Sequence, residues 1–132
     1  MSKSHGSKSN PDFVALLGGQ QMPYRDAAIP VWDYGFTMGI TLTERLRSFG
    51  GKLPMLDRHL DRLWRSAEAL RLADRLDRQQ LRHDILTIND ANRELIDPAS
   101  DLGIGVCVTP GPWELRFQKR MNRFPKWECR PF

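Results

Sequence analysis

The feature that most constrains this chain is a change of hydrophobic period across the glycine pair Gly50-Gly51. Before the pair, Thr41 to Phe49 alternates with a period of two, the spacing of a half-buried strand. Leu42, Glu44, Leu46 and Ser48 share one side, and Thr43, Arg45, Arg47 and Phe49 share the other. The glycines can adopt the positive φ angles of a tight hairpin turn. Lys52 to Leu56 should then run back as a short strand, with Pro54 confining it to an edge or the end of its ladder. After Asp57, which suits an N-cap, Leu60, Leu63, Ala67 and Leu70 recur at helical spacing, predicting a helix from Arg58 to about Leu72. A strand face bearing two arginines, opposite a face that includes a glutamate, must meet water, a partner chain or a ligand.

The flanking segments extend this unit. Phe13 to Leu17, Gly18-Gly19 and Gln20 to Met22 read as a first hairpin, Pro23 to Asp26 as a turn, and Ala27 to Val31 as a short extended piece completing a small meander. A second helix should begin at Asp74 or Asp77 and reach about Leu95, with Leu81, Ile85, Ile88 and, at its end, Leu95 as its apolar stripe. Leu102, Ile104, Val106 and Val108 alternate with Gly103, Gly105, Cys107 and Thr109, a strand that we expect to be closely approached on its glycine face. The predicted class is α+β, a small antiparallel sheet with two packed helices. A chain of 132 residues suits one domain. Residues 1–12 read as a disordered lead, 13–111 as the domain, and 112–132 as a basic, aromatic tail.

The net charge of +4 and a pI near 9.4 raise the possibility of nucleic-acid binding. Six basic and two acidic side chains lie in residues 113–132, leaving 14 of each sign in the other 112 residues. Basicity therefore belongs to the tail, and nucleic acid is not the expected partner of the domain. Two isolated cysteines, no secretory h-region and no long apolar run point to a cytoplasmic protein without a membrane segment. His5, His59 and His83 are far apart and form no metal-ligand motif, so no metal site is expected; His59 reads as a packing or capping residue. Cys107 has no evident base, and no nucleophile elbow occurs.

Arg62 is the remaining candidate. A guanidinium offers a rigid fork of donors that matches phosphate oxygens. Beside the stripe residues Leu60 and Leu63 it could serve as an anion hook; equally, an arginine on a helix flank can simply be solvated. The motif order narrows this choice. Asp33-x-Gly35-Phe36, Gly39, Glu44, Arg47, Gly51-Lys52, His59-Leu60-Asp61-Arg62-Leu63 and Ser66-Ala67 together resemble the N-terminal half of the class IV pyridoxal-phosphate aminotransferases. That family includes branched-chain and D-amino-acid aminotransferases and aminodeoxychorismate lyase. Leu17 to Pro23 and Ala28 to Val31 are similar to its opening hairpin, and Val108 to Gly111 to the end of its small domain.

The resemblance implies pyridoxal 5'-phosphate as cofactor, with Arg62 on the cofactor phosphate and Met38, Thr43 and Arg47 on the substrate side. It implies amino-group transfer between an amino acid, of branched-chain type, and a 2-oxo acid, in a homodimer. Two departures qualify it. Thr43 stands where an aromatic residue is usual, and Pro110 where the D-amino-acid branch carries an arginine, which argues against that branch. The family's Schiff-base lysine has no counterpart among Lys3, Lys8, Lys52, Lys119 and Lys126, so no catalytic residue is assigned and the chain reads as truncated. A non-catalytic binding module, including nucleic-acid binding through the basic tail, and a nonfunctional fragment are the alternatives.

Overall fold

A computed structural model describes residues 12–112. The expectations for the lead and for the tail after Pro112 lie outside the described residues. The architecture is α+β, made of two small antiparallel sheets and two long helices. β1 (Val14–Leu17) pairs with β2 (Gln20–Pro23) around Gly18 and Gly19, whose φ values are +58° and +81°. A single helical turn, α1, spans Tyr34–Thr37. β3 (Leu42–Arg47) pairs with β4 (Gly103–Val108), Leu42 opposite Val108 and Arg47 opposite Gly103. Between these strands in sequence come α2 (Leu56–Ala69) and α3 (Arg78–Arg93).

The alternation predicted for β3 is observed. Leu42, Glu44, Leu46 and Ser48 are buried and their alternates are exposed. α2 lies on the buried side with Leu56, Leu60, Leu63 and Ala67 facing inward. One core cluster joins Leu46, Leu56, Leu60, Ile85 and Ile104, and a second joins Leu42, Leu63, Ala67 and Leu72; Leu81 and Val106 pack against both. Leu60 and Leu63, each 2% exposed, are the central anchors, and burying each contributes roughly 1.5–3 kcal/mol.

Several boundaries differ from the sequence expectation. After Gly50 and Gly51 the return strand is reduced to a single bridge between Phe49 and Lys52. Pro54 has no N–H to offer a ladder, and Leu56 already begins α2. Asp57 therefore lies in the first turn and does not cap; Met55 is the cap residue and makes no side-chain cap bond. Asp77, by contrast, caps α3, accepting from the N–H groups of Gln79 and Gln80 at 2.8 and 3.0 Å. Leu70 lies past the end of α2 and is 47% exposed, while Leu72, beyond it, turns inward to 4%. Arg71, with φ +56°, makes that reversal. The segment Ala27–Val31 forms no strand, so the first region is a hairpin and not a meander. The glycine face of β4 is open: a Cβ at Gly103 or Gly105 would meet nothing within 4 Å, because this is the solvent face of the ribbon.

Two asparagines on α3 attach the hairpins. The Asn92 amide accepts from Val14 N–H at 2.7 Å and donates to Val14 O at 2.9 Å, imitating a strand partner for β1. Asn89 donates to Gly51 O at 3.0 Å and so tethers the β3 turn. Both are buried; bonding both backbone groups of Val14 offsets the cost of burying the Asn92 amide, whereas Asn89 is satisfied only through its nitrogen and its Oδ1 has no partner among the described residues.

Candidate functional site

The site begins with an acid in the core. Glu44 lies on the inner face of β3 between Leu42 and Leu46 and is 4% exposed. A lone buried carboxylate is costly unless paired. α2 supplies the pairing from residues one turn apart. Arg62 Nε donates to Glu44 Oε1 at 2.6 Å, and Nη2 donates to Oε2 at 2.5 Å, a fork-on-fork contact. His59 Nδ1 meets Oε2 at 2.8 Å, and because an ionised carboxylate only accepts, the imidazole is the donor. Hydrogen bonding from Arg62 holds the Glu44 carboxyl below the usual carboxylate range. Burial works against this, and His59 and the Arg62 charge reinforce it. Glu44 in turn raises Arg62 above the ordinary arginine value.

Arg62 is thus fixed by a buried anchor while most of its side chain, 61% exposed, faces solvent. Beside it lies a shallow cleft of about 220 Å³ lined by Met55, Arg58, His59, Arg62 and Arg65. Three guanidiniums line it, and Glu44 compensates only one. The arrangement can hold an anion with oxygen acceptors. A neighbouring concavity of about 350 Å³, lined by Asp61, Trp64, Arg65, Glu68 and Arg78, is of mixed charge.

A second buried carboxylate shapes the approach to β3. Asp33, also 4% exposed, caps α1 by accepting from Gly35 N–H at 2.6 Å, and accepts from the Thr109 hydroxyl at 2.9 Å. It also bridges Pro112 through the backbone. Gly35 is required here: a Cβ would stand 2.3 Å from the Thr109 methyl and 2.8 Å from Thr41 Oγ1. This is the physical content of the Asp-x-Gly-Phe motif, a clasp between the α1 turn and the end of β4.

The residues expected on the substrate side do not line this cleft. Thr43 and Arg47 are on the exposed face of β3, opposite the face that carries Glu44. Arg47 stacks over Phe49, with Cζ 5.7 Å from the ring centroid, and is 3.9 Å from Asp101. Met38 follows α1 and is 65% exposed. The structure therefore does not bring Thr43 and Arg47 onto the side of β3 where Arg62 is anchored. Lys52, the one lysine among the described residues, sits at the β3 turn, bridged to Phe49. Among the described residues no group of three or more His, Cys, Asp or Glu side chains could hold a metal ion, and no helix is long and apolar enough to cross a membrane.

Sequence reasoning missed the roles of Glu44 and His59. The signal was present, since Glu44 occupies the apolar phase of its strand and His59 and Arg62 are three residues apart beside Leu60 and Leu63. A glutamate in that phase calls for a cation on the element packed above it.

No protein-family model matches the chain. It is 29% identical over 113 residues, 86% of its length, to a protein of Methanocaldococcus jannaschii assigned as a branched-chain-amino-acid aminotransferase. It is 38% identical over 61 residues, 46% of its length, to branched-chain-amino-acid aminotransferase-like protein 1 of Arabidopsis thaliana. The chain spans 38% of the first relative and 11% of the second. The relationship is aminotransferase-like.

Proposed function

We propose that this chain carries the cofactor-phosphate grip of a class IV, pyridoxal-phosphate-dependent aminotransferase that moves an amino group between an amino acid of branched-chain type and a 2-oxo acid. The observation that carries this reading is Arg62, anchored bidentately on the buried Glu44 and lining a cleft of unmatched positive charge. The names of the two relatives support an aminotransferase of branched-chain type. A phosphate monoester fits the donor set, with its oxygens taken by Arg62 and its second charge matched by Arg58 or Arg65.

Pyridoxal phosphate, when bound, supplies an electron sink for the pair released at the substrate α-carbon. Residues 12–112 contribute binding and orientation. Glu44 and His59 hold the guanidinium in one rotamer, so less side-chain freedom is lost when an anion arrives. Proton movement at the α-carbon requires a lysine from outside residues 12–112, since Lys52 lies in a hairpin turn away from the cleft lining. Met38, Thr43 and Arg47 take the substrate side in this reading, in a cytoplasmic homodimer; their roles rest on the resemblance.

Binding of pyridoxal phosphate against pyridoxal, followed by its absorbance, tests the grip. The phosphorylated compound should bind and orthophosphate should displace it, whereas pyridoxal should bind at least about tenfold more weakly, a gap of roughly 1.4 kcal/mol. Equal binding of the two would refute the assignment. Borohydride treatment of the complex should label no single lysine, and the isolated chain should not transaminate; one stoichiometric, site-specific adduct would overturn that part.

A further inference from the structure

The basic cleft is longer than one phosphate needs. Arg58, Arg62 and Arg65 fall at i, i+4 and i+7 on α2, within an arc of roughly 60° and along about 10 Å of helix axis. All three line the same cleft. Of the nearby acids, two are drawn to α3 and one compensates only the middle of the ridge. Asp57 is 3.3 Å from Arg82, and Asp61 is 2.5 Å from Arg78, both pairs reaching across to α3. Glu44 is committed to Arg62 and His59. Glu68, the remaining acid of α2, shares the neighbouring concavity with Arg65 but forms no ion pair with it. Arg58 and Arg65 make no ion pair or side-chain hydrogen bond with another described residue.

We propose that the ridge Arg58–Arg62–Arg65 is a diphosphate site, on which a ligand with two adjacent phosphate groups binds in competition with the cofactor phosphate. This rests on Arg62 being the phosphate grip assigned above. One phosphate group sits between the anchored Arg62 and one outer guanidinium, and the second reaches toward the other, since Arg58 and Arg65 lie about one turn to either side of Arg62. A single phosphate cannot span that length, so the ridge distinguishes one phosphate group from two. Binding at Arg62 excludes the cofactor phosphate and makes the diphosphate a regulator of the same cleft.

The test is calorimetry of the full chain with pyrophosphate, orthophosphate and ADP, together with displacement of pyridoxal phosphate by each. Pyrophosphate should bind at least about tenfold tighter than orthophosphate and displace pyridoxal phosphate at correspondingly lower concentration. The double variant Arg58→Gln/Arg65→Gln should bring pyrophosphate down to the orthophosphate affinity. ADP matching pyrophosphate would identify nucleotide diphosphates as the ligands; ADP failing where pyrophosphate binds would identify the free diphosphate. Orthophosphate binding as tightly as pyrophosphate, or a double variant that loses no pyrophosphate affinity, would overturn the proposal while leaving the Arg62 grip standing. Binding of pyrophosphate that survives Arg62→Gln unchanged would overturn both, as would the absence of binding by either anion.

Discussion

Asp33 and Glu44 are the two buried carboxylates among the described residues, each 4% exposed, and they are put to different use. Asp33 is satisfied by neutral donors, Gly35 N–H and the Thr109 hydroxyl, and joins the α1 turn to the end of β4. Glu44 is satisfied by a cation and an imidazole, and its principal partner remains largely in solvent. The first carboxylate closes a piece of architecture. The second orients a guanidinium whose outer N–H groups still face solvent and a ligand. Burial alone does not distinguish a structural acid from a functional one; the exposure of its partner does.

That comparison can be broken at several points, and the largest effect should come from the clasp. Gly35→Ala drives a methyl into Thr109 and should destabilise the domain by about 2–3 kcal/mol in urea unfolding, with Thr109→Ser recovering part of the loss. Asp33→Ala leaves the Gly35 N–H and the Thr109 hydroxyl without their acceptor and should cost about 2 kcal/mol by the same measurement. Neither substitution touches the cleft, so the surviving folded fraction should bind phosphate as before.

Glu44→Gln should show the reverse pattern. Because the native carboxyl is held below its ordinary value, its contribution is complete above the unfolded value of about 4.3 and is lost as the pH falls through the lower folded value. The wild-type chain should therefore lose stability on acidification below about pH 4.3 more steeply than Glu44→Gln, read as the difference between the two unfolding curves. Phosphate binding should fall in the variant at neutral pH, because Arg62 loses its anchor. Arg62→Gln should abolish phosphate binding while lowering the melting temperature less than Asp33→Ala does, since His59 continues to bond Glu44. His59→Gln should have the smallest effect, a weakening of phosphate binding of a few-fold, because the bidentate contact survives it. A loss as large as that of Arg62→Gln would show that phosphate binding depends on the imidazole as much as on the guanidinium.

Much of this molecule was legible along the chain. Alternation gave the two faces of β3, the glycine pairs gave both hairpin turns, and the helical spacing of Leu60, Leu63 and Ala67 gave the buried face of α2. These are local signals, because side-chain direction follows from the backbone period alone. The errors arose where a neighbour in space decides. Asp57 has the chemistry of a cap, but the helix starts at Leu56 and Asp57 faces Arg82 of α3. Gly105 looked like a point of close approach, whereas Gly35 is the crowded glycine, through contacts with Thr109 from 74 positions further along the chain.

The site divides in the same way. Residue order by itself determined that Arg62 follows a Glu-bearing strand and a His-x-x-Arg helix turn, and that order was enough to raise the family resemblance. Only the tertiary structure decided that the Glu44 carboxylate meets Arg62 and His59 across 15 to 18 residues of chain, and that Asp57 and Asp61 are drawn to α3, away from Arg58 and Arg65. The physical reason is that a charge acquires its function from what compensates it. For the α2 ridge, that compensation comes from elements that meet it only when the chain is folded.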